Sequence, residues 1–340
     1  MRNAGLTDLQ VNGYAGVDFN STAITADAMD HALHAMLLSG VTTCLPTLIT
    51  AAEDELTARL ACLDRAVGGS RLGPLMVPGY HLEGPFLSPL PGYAGCHPAA
   101  AMVAPDSALL ERLGQIAARP IAMLTLAPER EGAIPVIAWA KARGIVVALG
   151  HTAADATAIA LAVAAGAALS THLGNALPQP QPKFLNPMMA QLAEDGLSAS
   201  FIADGIHIPR HVLKVLVRAK GLARCVLVTD ATAAAAAPPG LYDFAGMTIE
   251  HTPDGSVRVP GGQVLAGSAL CLDQAVRNAV AWDLADEATA LAMASSHPDA
   301  LLGERGRRPP STDVVWSGTL HPERVSIGGL VIKPGGSETP

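Results

Sequence analysis

The sequence predicts a parallel α/β fold, and within that class a closed (β/α)8 barrel of the TIM type with a reduced small β appendage from its C-terminal strands. Three observations carry this. Short apolar runs alternate with helix-patterned segments from Leu6 to Val228. The runs are solidly apolar rather than alternating, as strands covered on both faces must be. There are eight of them, most followed by a helix, which suits a barrel. An open doubly wound sheet is the alternative, weakened because no Gly-x-Gly-x-x-Gly follows an early strand.

In chain order, Leu6–Asn12 reads as the first strand, closed by Gly13. Thr25–Ser39 carries Met29, Leu33, Met36 and Leu37 at helical spacing and stops at Gly40. Val41–Leu45 is β-branched and ends at Pro46; Glu53–Val67 is a helix; Leu75–Leu82 is a strand running into His-Leu-Glu-Gly-Pro. Ser107–Ala118 is a helix, Ile121–Leu126 a strand, Ile134–Ala142 a helix and Ile145–Leu149 a strand. Asp155–Ala165 is Ala-rich and helical, closed by Gly166, and Ala167–Ser170 is the next strand. Ser198–Ile202 and Cys225–Val228 are strands flanking the helix Pro209–Ala219. From 232 to 266 the pattern becomes a loop and hairpin over the barrel mouth, turning at Asp254-Gly255. Ala269–Ala281 and Glu287–Leu302 are closing helices, and Val314–Trp316 and Val325–Ile332 are strand-like. The barrel is therefore assigned to residues 1–310 and the small β appendage to 311–340.

Composition narrows the function. The chain has 340 residues, 50% hydrophobic, 15% charged, with net charge −8. A chain this acidic, without a Lys/Arg-rich run, argues against nucleic acid as a partner. No apolar run approaches the ~20 residues of a membrane span, so no membrane partner is expected. Cys44, Cys62, Cys96, Cys225 and Cys271 are scattered without a Cys-x-x-Cys pair, which suits a reducing compartment, and Met1–Gln10 carries no cleavage signal. The expectation is a cytoplasmic protein.

Polar residues fall at the ends of the proposed strands: Gln10 and Asn12, His81 and Glu83, His151, His172, Asp204 with His207, and Asp230. In a barrel those ends face one another. The stretches Ala-Leu-Gly-His-Thr-Ala (148–153) and Ser-Thr-His-Leu-Gly-Asn (170–175) place two histidines at the same end of adjacent parallel strands. One Glu and two His with an open position make a catalytic zinc set. A divalent ion there would acidify a bound water, and Asp230 could take its proton and pass it to a leaving amine. Each residue also has a bland role open to it. Glu83 could be a surface-loop carboxylate, Asp230 a helix N-cap and His207 a hydrogen-bonded core residue. Gln10 and Asn12 could cap a strand turn.

The motifs Asp-Leu-Gln-Val-Asn-Gly (8–13), His-Leu-Glu-Gly-Pro-Phe (81–86), Leu-Gly-His-Thr (149–152), Thr-His-Leu-Gly-Asn-Ala (171–176), Ala-Asp-Gly-Ile-His (203–207), Val-Thr-Asp-Ala (228–231) and Leu-Ala-Gly-Ser (265–268) stand in register with a known family. From about Asp8 to Leu302 the chain resembles the N-acetylglucosamine-6-phosphate deacetylases of the amidohydrolase superfamily. The resemblance implies one divalent metal, most often zinc, on Glu83, His151 and His172, with Asp230 as general acid/base. It implies that His97 contacts substrate near the acetyl carbonyl. It puts Asn175, Ala176, His207, Leu265 and Gly267 on the substrate. Gln10 and Asn12 stand where two-metal members carry His-x-His, and amides bind zinc poorly, favouring a single ion. The implied reaction converts an N-acetylated amino sugar, most readily N-acetylglucosamine 6-phosphate, to the amine and acetate. An amidohydrolase acting on another N-acyl amine or a cyclic amide, and a non-catalytic metal-containing barrel, remain alternatives.

Three departures from the family stand out. Family members begin with several β-strands before the barrel, whereas Met1 precedes Asp8 by seven positions, so the C-terminal strands would be a remnant of the small domain or pack on a partner chain. Lys183 stands where the family often has an Arg that reaches a neighbouring subunit's phosphate, which implies a homodimer and a weaker, non-bidentate grip. Gly174 replaces an aromatic and would open space in the pocket. The last two leave the need for a 6-phosphate open.

Overall fold

The computed structural model describes residues 1–334 apart from Gln263 and Arg307. Eight parallel strands run in sequential order: Leu6–Val11, Val41–Ile49, Tyr80–Glu83, Ile121–Leu126, Val146–Leu149, Leu169–Ser170, Ser198–Phe201 and Cys225–Leu227. The sheet closes through a bridge between Val11 and Ala231, where Asp230 N–H donates to Gln10 O at 3.0 Å. Helices Ala26–Leu38, Glu53–Gly69, Ser107–Gly114, Ala133–Ala142, Ala156–Ala165 and Arg210–Lys220 lie between successive strands, and Leu272–Ala281 follows the last. Three of these starts are side-chain capped: Thr25, Asp106 and Asp155 accept backbone N–H groups of the first turn. One core of buried Leu, Val, Ile, Met and Ala fills the space between the strands and helices.

Several boundaries differ from the sequence expectation, each for a physical reason. The second strand runs through Pro46 to Ile49. Its ladder to the first strand shifts register there, and Val11 N–H goes to Thr47 Oγ1 at 3.1 Å, so no donor is needed from Pro46. Leu75 and Met76 are not strand but a short helix, Gly73–Met76, with Pro74 at its start, where a missing N–H costs nothing. The strand begins only at Tyr80. Pro187–Ala193 is a helix that the sequence reading passed over, although Asn186 caps it and Pro187 opens it. Glu287–Leu302 is two helices, broken before Pro298. The break exposes Ala294 O to Thr7 N–H of the first strand at 2.8 Å.

Gly240–Phe244, Met247–His251 and Val257–Arg258 form an antiparallel sheet with its own small core of Phe244, Ile249, Val257, Ala234, Ala266 and Ile49. Ile49 ends the second barrel strand, so this sheet sits on the mouth. A second antiparallel sheet joins Arg2–Asn3 to Asp313–Trp316, Pro322–Ile327 and Leu330–Ile332. The C-terminal strands thus pair with the first residues of the same chain; 335–340 lie outside the described residues. Gly40 (φ +81°) permits the docking, since a Cβ there would lie 2.4 Å from the Trp316 ring. Among the described residues, no helix is long and apolar enough to cross a membrane.

Candidate active site

The site grows out of the strand ends. Asp8, Gln10 and Asn12 alternate on the first strand and its extension, so all three point inward. Glu83 ends the third strand and is 2% exposed. Three imidazoles face its carboxylate: His172 Nε2 at 3.0 Å and His151 Nε2 at 3.3 Å from Oε1, and His97 Nε2 at 3.5 Å from Oε2. Burial alone would raise the Glu83 carboxyl, but contact with the three imidazoles holds it well below the usual range.

Hydrogen-bond logic distinguishes the histidines. His151 Nδ1 lies 2.8 Å from the Tyr93 carbonyl, which can only accept, so Nδ1 carries the proton. Its Nε2 is then a bare lone pair, buried without a hydrogen-bond donor and aimed at a carboxylate. Two lone pairs at that separation repel, and a cation between them removes the repulsion; these residues fit a metal ion. His97 is built differently. Its Nδ1 accepts the Thr50 backbone N–H at 3.3 Å and lies 2.9 Å from Thr50 Oγ1, so its proton sits on Nε2. Glu83, His97 and His151 have potential ligand atoms within 4.8 Å of one another. The proton on His97 Nε2 nevertheless makes it a donor rather than a ligand. His172 Nε2 meets the same Glu83 oxygen as His151, with its Nδ1 buried and unpartnered. Burial lowers His172, but Glu83 outweighs it and the net shift is upward; burial and the neighbouring His151 push His97 down to about 4.

Asp230 follows the eighth strand. Its Oδ1 accepts from Asn12 Nδ2 at 2.8 Å and Gln10 Nε2 at 3.1 Å, and the same Gln10 nitrogen donates to Glu83 Oε1 at 2.9 Å. One neutral amide therefore bridges two carboxylates, which is more than a strand-turn cap. Burial and repulsion from Glu83 push Asp230 up to about 6. Asp230 (φ +49°), His151 (+50°), His172 (+28°) and Ala176 (+51°) all adopt the left-handed region. L-residues there cost about 1–3 kcal/mol each and concentrate where function demands a particular aim.

The remaining residues are scattered in role. His207 Nδ1 donates to Asp204 Oδ2 at 2.6 Å, and Asp204 Oδ1 accepts the Ile206 and His207 backbone N–H groups. Asp204 thus fixes the direction of the His207 ring, whose side chain is 8% exposed. Asn175 Nδ2 turns back to the His172 carbonyl at 2.9 Å. Leu265 and Gly267 lie on the segment whose Ser268 N–H donates to Asp230 O at 2.9 Å. Lys183 is exposed and leans over the Phe184 ring at 5.1 Å. His81 sits one layer below Glu83, between Thr47 and Thr125, pushed by burial down to about 4, and is structural. Gly174 does not open the pocket as expected: Ile208 Cδ1 and Leu216 Cδ1 lie 2.9 and 3.5 Å from where its Cβ would be. The space remaining beside it is water-sized, about 10 Å³. Sequence reading missed Thr50 and Tyr93. Thr50 follows a strand end, the same signal that exposed the other residues; Tyr93 acts through its carbonyl, which leaves no trace in residue identity.

No family model matches the chain. N-acetylglucosamine-6-phosphate deacetylase of Bacillus subtilis (strain 168) is 32% identical over 278 residues, 81% of this chain and 68% of the relative. N-acetylgalactosamine-6-phosphate deacetylase of Escherichia coli O157:H7 is 34% identical over 301 residues, 88% of this chain and 77% of the relative. The structure of an aspartate-to-alanine mutant of N-acetyl-D-glucosamine-6-phosphate deacetylase from Mycobacterium smegmatis, in complex with N-acetyl-D-glucosamine-6-phosphate, superposes with TM-score 0.84 at 30% identity, covering 96% of this chain and 86% of that one. The Thermotoga maritima enzyme of the same description superposes with TM-score 0.83 at 26% identity, covering 98% and 89%.

Proposed function

Because the chain belongs to the N-acetylglucosamine-6-phosphate deacetylase family, we propose that it converts N-acetylglucosamine 6-phosphate and water to glucosamine 6-phosphate and acetate. It is a hydrolase of amide C–N bonds on a (β/α)8 barrel. One observation carries the chemistry: Glu83 meets His151 and His172 at 3.3 and 3.0 Å, and the Gln10 amide links Glu83 to Asp230. Glu83, His151 and His172 hold one divalent ion, zinc, for which imidazole and carboxylate are suitable donors. The bare Nε2 of His151 supports this set, and the amides at positions 10 and 12 support a single ion. When bound, the ion polarises the acetamide carbonyl and acidifies the attacking water.

The protein's own groups complete the reaction. Asp230 takes a proton from water as its oxygen adds to the carbonyl carbon. His97, protonated on Nε2, donates a hydrogen bond to the carbonyl oxygen as charge gathers there. Asp230 then gives its proton to the nitrogen as the C–N bond breaks, and the acid product ionises to acetate. His207, Asn175, Ala176, Leu265 and Gly267 line the sugar. Lys183 serves the phosphate from across a homodimer. Phe184 and Leu185 beside it, 69% and 90% exposed, support a contact at that loop. Five free cysteines support a cytoplasmic location.

The galactosamine epimer is a second reading, supported by the 34% identity to an N-acetylgalactosamine-6-phosphate deacetylase. Acetate release from both 6-phosphates and from unphosphorylated N-acetylglucosamine, with zinc counted per chain, tests both readings. The first requires the fastest turnover on the gluco phosphate. Metal without turnover on any of the three would refute deacetylation of these sugars.

A further inference from the structure

We propose that Asp8 and Thr229 are positioning residues, a clasp across the closing seam of the barrel that aims the Asp230 carboxylate. The inference rests on reading Asp230 as the proton carrier. The regular eighth strand ends at Leu227, and beyond it the seam to the first strand is closed by the Val11–Ala231 bridge and by backbone bonds from Asp230 N–H to Gln10 O and from Asn12 N–H to Ala231 O. Asp230 therefore takes its left-handed backbone beyond the regular ladder, with its own N–H donating to Gln10 O and its O accepting from Ser268 N–H. Side chains add a second hold, on the residues to either side of it.

Thr229 Oγ1 donates to Asp8 Oδ2 at 2.5 Å, lies 3.2 Å from Gln10 O and accepts the Ala231 N–H at 3.1 Å. Asp8 Oδ1 accepts the Thr229 and Gln10 N–H groups, each at 3.3 Å. From the other flank, Ser268 Oγ donates to Thr229 O at 2.6 Å. The residues on both sides of Asp230 are thus pinned, and the hydroxyl of Thr229 is the junction. Asp8 is fully buried and accepts from a hydroxyl and two backbone N–H groups rather than from a cation. Burying such a carboxylate is costly and gives little stability in return. Its place two residues before Gln10 and four before Asn12 supplies the reason. The same strand that grips the Asp230 side chain through two amides grips its backbone through Asp8.

The test uses Thr229→Val, isosteric without the hydroxyl, beside Thr229→Ser, which keeps it, both as metal-loaded full-length protein. For Thr229→Val, kcat falls about 10- to 100-fold, the usual effect of removing an outer orienting partner, while KM and zinc per chain stay at the parent values. Thr229→Ser restores kcat to within about threefold. Asp8→Asn, which keeps the size and loses the charge, reads the same kcat-against-KM split if the valine variant does not fold. Parent kcat in both Thr229→Val and Asp8→Asn would overturn the clasp. Equal loss in the valine and serine variants, or a loss confined to KM or zinc content, would also overturn it.

Discussion

The reaction centre and the loop after the sixth strand are built on different physical terms. At the centre Glu83, His151, His172 and Asp230 stand at or just past strand ends, His97 comes from the loop after the third strand, and most have a second partner that sets their direction. Tyr93 O orients His151, Thr50 orients His97, and Asn12 and Gln10 hold Asp230. In the loop, Asn175 folds back on the His172 carbonyl, Lys183 rests over Phe184, and Phe184 and Leu185 face outward. The proposed reaction centre is thus preorganised by the strand ends and the loop after the third strand, whereas the proposed grip on the distant end of the substrate would rest on a segment whose large side chains face outward.

The sharpest way to break that contrast is Glu83→Gln. Its carboxylate is the common partner of three imidazoles and one amide. Without its charge, two neutral histidines remain for a dication, so zinc per chain falls to near zero after dialysis and turnover goes with it. A variant that kept a full complement of zinc would show that the ligand set lies elsewhere.

Asp230→Asn separates chemistry from metal. Zinc per chain stays at the parent level while kcat falls about 10³-fold, the scale of a lost general acid/base. Asp230 must be ionised to accept a proton, so kcat/KM falls as pH drops through its pKa. That value is about 6 because burial and Glu83 raise it. A cation on Glu83 offsets the repulsion, so the acid limb of the loaded enzyme lies below 6. A limb well above 6, absent in the asparagine variant, would mean that the ion does not sit beside Glu83.

The same division marks what could be foreseen. Apolar runs and helical spacing locate the eight strands, because burial on both faces leaves a compositional imprint. Strand ends then point to Glu83, His151, His172 and Asp230. The directions of protons could not be foreseen. That His151 offers a bare Nε2 and His97 a protonated one depends on a carbonyl and a backbone N–H contributed by loops. Nor could a two-residue strand such as Arg2–Asn3 be detected, since its pairing with Asp313–Trp316 crosses the whole chain. The Asn-Pro pair at 186–187 was a legible helix start that the loop's proline-rich flank, Pro178 to Pro182, obscured.

Lys183→Ala tests the loop side of the contrast. A charged hydrogen bond to phosphate contributes about 1.5–3 kcal/mol, so KM for the 6-phosphate rises roughly tenfold or more and kcat changes little. KM for the unphosphorylated sugar should not move. An equal change for both sugars would place Lys183 outside the phosphate contact.

The smallest effect is expected where the two regions join, at Gly174. Its φ of +102° is a conformation that L side chains rarely adopt, and a Cβ would sit 2.9 Å from Ile208 Cδ1. Gly174→Ala should therefore cost about 1–2 kcal/mol of stability in urea unfolding, from backbone strain and from the contact together. Combining it with Ile208→Ala separates the two, because the second change removes the contact and leaves the strain. A double mutant that loses less than the sum of the singles locates part of the cost in the side-chain clash. Strict additivity assigns all of it to the backbone. A neutral Gly174→Ala would mean that the chain relaxes freely here, and that the barrel's rigidity ends one turn earlier, at His172.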